Sequence, residues 1–124
     1  MPTDLQTTLV FVARLLMGGA FLVSGLRNIG AINGLAAFIG GRGLPLPRLA
    51  AIAGVVLEIV GGALVAIGPF ALYGGLGLVV FCILATLIFH NFWDYLGAER
   101  VNHLNAFISN TALAGGFLLV VAIA

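Results

Sequence analysis

Four long apolar runs constrain this chain more than anything else in it. They lie near Leu5–Leu26, Leu46–Gly68, Phe70–Phe92 and Leu104–Ala124, separated only by short polar or Pro/Gly punctuation. Each is close to the roughly 20 residues that a helix needs to cross a hydrocarbon layer about 30 Å thick. A spanning β-strand needs only about 9–11 residues and alternates in polarity, so these continuous runs argue against a barrel. With 62% hydrophobic and 7% charged residues, and a mean hydropathy of +1.24, the 124-residue chain has too little polar surface for a water-soluble globule. The expectation is an all-α membrane protein, a single transmembrane domain over residues 1–124 built as an antiparallel bundle of four spanning helices. The leader "MPTDLQTT" has no Lys or Arg, and Arg14 interrupts the first run, so this run reads as a retained helix rather than a signal peptide.

The chain has no lysine, and Arg27, Arg42, Arg48 and Arg100 all fall in the first and third connections. The excess of positive charge on cytoplasmic loops then assigns those two connections to the cytoplasm and both termini to the outside. In the first connection Ile32, Leu35, Ala36, Phe38 and Ile39 recur at helical spacing before Gly40 and Gly41 break the pattern. This predicts a short amphipathic helix on the membrane surface between the first two spans, with Pro45 and Pro47 turning the chain into the second. Glycine pairs at 18–19, 61–62, 74–75 and 115–116 sit inside spans, where they let helix backbones approach closely.

Several function classes drop out on composition. The lone thiol, Cys82, lies within the third run, so the chain cannot run a disulfide relay by itself. A net charge of +1 gives no nucleic-acid footprint, and no glycine-rich phosphate loop joins a strand to a helix. The partners expected are membrane lipid and either other membrane subunits or further copies of the chain.

Arg14 and Glu58 are the ionisable residues deep within spans. Counted from the outer ends of their helices they lie at depths of about 14 and 15 Å, so antiparallel neighbours would bring them level as an intramembrane ion pair. Such a pair would fix helix register; the alternative is a carboxylate that carries a proton or binds a ligand. A second polar group gathers toward the inner end: Ser24, then Thr86, His90, Asn91 and Trp93, then Asn110. This set predicts a ligand pocket opening inward, against the plainer reading of hydrogen bonds between helices and an interfacial tryptophan anchor. His90 and His103 flank the third connection, but there is no CxxCH and no further His or Cys to complete a metal site, so no metal ligands are assigned and haem is disfavoured.

Four stretches together resemble the DoxX family of small bacterial four-helix membrane proteins: "RLLMGGAFLVSGLRNIG" at 14–30, "GLPLPRLAAIAGVVLEIVGGALVAIG" at 43–68, "TLIFHNFWD" at 86–94 and "NAFISNTALAGGFLLV" at 105–120. The family pattern falls on Arg14, Ser24 with Gly25, Gly43 with Pro45 and Pro47, Glu58 with Gly61 and Gly62, His90 to Trp93, and Asn110 with Gly115. Arg27 stands at a usual Lys position, and Ser109 replaces a Lys that many relatives carry. The resemblance implies a multi-pass protein of the bacterial inner membrane, a component or partner of a quinone-linked oxidoreductase. Quinone is the one cofactor it brings in, and any enzymatic role would be as a subunit of such an oxidoreductase. In that role His90 and Asn110 would hydrogen-bond the carbonyls, Phe92 and Trp93 would contact the ring, and Arg14 with Glu58 would hold the bundle or relay a proton. The competing expectations are a non-catalytic assembly subunit of a larger membrane complex and, resting on Glu58 alone, a small proton-coupled transporter.

Overall fold

The computed structural model describes residues 4–124, so the first three residues of the leader lie outside the described residues. The described chain is helical throughout: α1 (Asp4–Asn28), a 3-10 turn (Ile29–Ala31), α2 (Ile32–Gly41), α3 (Pro47–Ile67), α4 (Ala71–Phe89), a second 3-10 turn (Phe92–Asp94) and α5 (Gly97–Ile123). Four segments are long and apolar enough to cross a membrane. α1 packs on α3, α3 on α4 and α4 on α5. Phe21 of α1 closes the ring, meeting Phe81 and Phe117 edge to face at 6.1 and 5.0 Å. Val65, Leu78 and Phe117 are fully buried at the centre of the α3, α4 and α5 contacts.

Two helix ends differ from the apolar runs. α4 stops at Phe89, three residues short of the expected Phe92, and α5 begins at Gly97 rather than at Leu104. Hydropathy marks where lipid begins, whereas a helix runs as far as its backbone hydrogen bonds do. "GAERVNH" is polar but helix-compatible, so α5 continues two turns beyond its apolar part. α3 is bounded by conformation: Leu46 is left-handed at φ 50°, Pro47 occupies the first turn, and Gly68 at φ 110° ends the helix by donating its N–H to Leu64 at 3.1 Å.

The α1–α3 register follows from small residues. A β-carbon added at Gly18 would lie 2.5 Å from the Gly62 carbonyl oxygen, and one at Gly62 would lie 2.6 Å from that of Gly18. Gly25 sits against Glu58 and Ile59 in the same way, and the Arg14 guanidinium rests on Gly68. α1 therefore overhangs the end of α3 by its first ten residues or so, about 15 Å. At the other end, Asn28 bonds Glu58, and a β-carbon added at Gly40 would lie 3.5 Å from Pro47. The chain from Asn28 to Gly40 thus tracks α3 backwards for about 16 Å, and the short helix expected between the first two spans is packed along the first half of α3.

Gly18→Ala and Gly62→Ala each force a methyl into a backbone contact, and overpacking of this kind costs about 1–3 kcal/mol. Both variants should melt at lower temperature in detergent. Gly115→Ala, with nothing within 4 Å of the added carbon, should melt like the parent.

Candidate functional site

Glu58 occupies the middle of α3 and is only 5% exposed. Its Oε1 accepts a 2.9 Å hydrogen bond from the Asn28 side-chain amide, the one described partner of this carboxylate. Burying an ionised carboxylate without hydrogen bonds is costly, and the amide supplies part of what water would. Beside the pair opens a cavity of about 310 Å³, whose polar lining is Asn28, Glu58, His90 and Asn110. Small residues on the facing helices, Ala50, Ala51, Gly54 and Ala85, leave this volume unfilled, and Phe81 and Phe89 supply its aromatic walls. Leu35 and Ile39 of α2 cover it, while Phe38 stacks on Phe89 with centroids 4.9 Å apart.

His90 ends α4, its backbone N–H donating to the Thr86 carbonyl at 3.0 Å. Its Nδ1 lies 3.2 Å from Nδ1 of His103, whose ring stacks on Tyr95 at 4.1 Å. One of the two rings must carry the shared proton. If His103 donates, His90 presents Nε2–H as a donor; in the reverse tautomer Nε2 is an acceptor. The two rings gather no third His, Cys, Asp or Glu into a metal-binding group among the described residues.

A polar knot ties α2 to the segment after α4. Asn91, 2% exposed, accepts a hydrogen bond from Arg42 and donates one of 2.6 Å to Asp94, while Arg42 Nη1 lies 3.8 Å from the Asp94 carboxylate. Arg42 also lies over the Phe38 ring, 5.3 Å from its centroid. The far end of α2 is thereby fixed beside the cavity it covers.

Of the residues singled out from the sequence, the structure brings Glu58, His90 and Asn110 to one cavity. Asn110 also lines a smaller cavity of about 170 Å³ with Thr86, Cys82 and Phe107. Ser24 lines a separate recess with Arg27 and Asn28 at the end of α1, and Asn91 belongs to the knot. Trp93 is 50% exposed and packs with Phe92 on Phe107, so the aromatic walls of the cavity are Phe81 and Phe89 instead of Phe92 and Trp93.

Arg14 is not beside Glu58. The depth estimate took the outer ends of the first two spans as level, whereas α1 overhangs α3, and this moves Arg14 to Gly68 at the end of α3. Asn28 takes the place beside Glu58. Asn28 was readable in the sequence: Gly18, Phe21, Gly25 and Asn28 recur at helical spacing on one face, and the glycines mark that face as a close contact. Arg42 carried no such signal, since its partners come from a different connection.

Asn91→Ala removes both bonds of the knot and leaves Arg42 with a partner 3.8 Å away. Loss of a buried hydrogen-bonding group costs about 1–3 kcal/mol. Amide hydrogen exchange should accelerate over residues 29–46 while the α3–α4 core stays protected; uniform acceleration would mean that the knot does not act on α2.

The family model described as DoxX matches residues 9–91. The chain is 28% identical over 115 residues to the inner membrane protein YphA of Escherichia coli strain K12, across 93% of this chain and 82% of that one. No solved structure matches the chain.

Proposed function

The chain belongs to the DoxX family, and from that premise we propose that it is the membrane component of a quinone-linked oxidoreductase, holding the quinone headgroup in the cavity beside Glu58. The observation that carries this reading is the cavity itself, of about 310 Å³, between Phe81 and Phe89, with an imidazole, a carboxylate and two amides at its polar positions. Its size lies at the lower end of the range for small-molecule pockets, about 300–1,000 Å³, and an apolar wall with a few placed polar groups suits a planar ring with two carbonyls. Quinone, when bound, supplies two-electron acceptance coupled to protons. The chain's own residues orient and protonate. His90, in the tautomer where His103 donates to its Nδ1, offers Nε2–H to a carbonyl. The Asn110 amide, which has no described partner, offers a second donor. Glu58, held by Asn28, is the group able to keep or pass on a proton at the centre of its helix.

The relative's name and the four apolar helices support a multi-pass protein of the inner membrane. The arginine asymmetry supports an orientation with the His90 end toward the cytoplasm and both termini outside.

Decylubiquinone titrated into the purified protein should bind saturably. His90→Ala and Asn110→Ala should each weaken it about three- to tenfold, the worth of one hydrogen bond. Absence of saturable binding, or binding by both variants as tight as the parent's, would sink the reading.

One observation favours a non-catalytic assembly subunit instead. Gly115 is exposed on α5 with nothing within 4 Å, a small-residue position facing outward as at a helix contact with another chain. On that reading Gly115→Leu dissociates the complex extracted from native membranes, and His90→Ala leaves its activity unchanged.

A further inference from the structure

Arg14 takes no part in the cavity, yet its surroundings are built. A β-carbon at Gly68 would lie 3.1 Å from Nη1 and 3.2 Å from both Cζ and Nη2, so the guanidinium rests face-on against the glycine that ends α3. The carbonyl end of that helix carries partial negative charge, which accounts for a cation being there. It does not satisfy the donors. Nε is shut off from solvent without an acceptor, and among the described residues the guanidinium has no ion-pair partner. Asp4, the acid of the first turn of α1, is about 15 Å away along the helix.

A recess of about 490 Å³ opens at this point between the start of α1 and the end of α5, its lining including Gln6, Thr7, Thr8, Phe11, Arg14 and Ile123. The Thr8 hydroxyl is committed to the Asp4 carbonyl at 2.8 Å. Depth adds an independent argument. The 21 residues of α3 span about 32 Å, close to the hydrocarbon thickness, so its Gly68 end and the guanidinium on it lie where headgroup phosphates do. Nε, closed to solvent, is closed to an incoming oxygen as well, so Nη1 and Nη2 are the donors left to the recess, and an oxyanion with two oxygens suits that edge of the guanidinium.

We propose that Arg14, seated on Gly68, is a phosphate-binding site, filled either by the headgroup phosphate of a membrane phospholipid or by a soluble phosphate. Phe11 and Ile123 form the apolar wall of the recess. The site is independent of the quinone reading, since Glu58 lies ten residues from Gly68 along α3, about 15 Å.

The test uses the delipidated full chain in detergent, titrated calorimetrically with dioctanoyl phosphatidylglycerol, with dioctanoylglycerol and with inorganic phosphate. The phosphatidylglycerol should bind and the phosphate-free diacylglycerol should not. Arg14→Gln should weaken binding about tenfold or more, Arg14→Lys less, and Gly68→Ala should weaken it by crowding the guanidinium. Competition by millimolar inorganic phosphate identifies a soluble occupant; lipid binding indifferent to it identifies the headgroup. Equal binding of the two lipids, or equal affinity of Arg14→Gln and the parent, overturns the proposal. Should Arg14→Gln fail to fold, Arg14→Lys and Gly68→Ala decide the matter, and unchanged affinity in both overturns the proposal. Decylubiquinone binding serves as the independent control and should be the same in every Arg14 variant that folds.

Discussion

Where Gly18 meets Gly62, two helix backbones approach so closely that neither residue has space for a β-carbon. No other register of α1 on α3 places glycine opposite glycine here and again sets Gly25 against Glu58, so the contact acts as a ruler. It puts Asn28 within reach of the mid-helix carboxylate, lays Arg14 on the last residue of α3, and sends α2 back along the first half of α3. In lipid, where apolar burial gives helices little reason to associate, such close backbone packing is what holds them in register.

The cavity is the counterpart of that close packing. α3 carries glycine on the side facing α1, where Gly62 makes contact, and small residues again at Ala50, Ala51 and Gly54, where no side chain arrives to fill the space. The same residue type therefore produces contact in one half of the bundle and a void in the other. What distinguishes the two halves is the neighbour: α1 lies against the second half of α3, whereas the shorter α2 covers the first half. Glu58 falls at the junction, buried and hydrogen-bonded by Asn28 yet bordering the void.

The sequence carried the fold because its strongest signals were local. Apolar length gave four spans, Pro47 and Gly68 bounded α3, and the pattern from Ile32 to Ile39 marked α2. His90, Glu58 and Asn110, which line one cavity, were legible as candidates because each is a polar group where lipid would otherwise penalise it. Their partners were harder to read. The Arg14–Glu58 expectation assumed helices that start level, and nothing local reports an overhang. The knot of Arg42, Asn91 and Asp94 joins two connections about 50 residues apart in the chain, a pairing that only the packed helices create.

Asn28 is the last residue of α1, immediately before the 3-10 turn that redirects the chain into α2, and its amide is the partner of Glu58. The joint of the chain and the handle on the buried acid are therefore one residue. In linkage terms, whatever free energy couples that hydrogen bond to the seating of α2 acts equally in both directions. Whatever holds α2 in place thereby sets how firmly Glu58 is held.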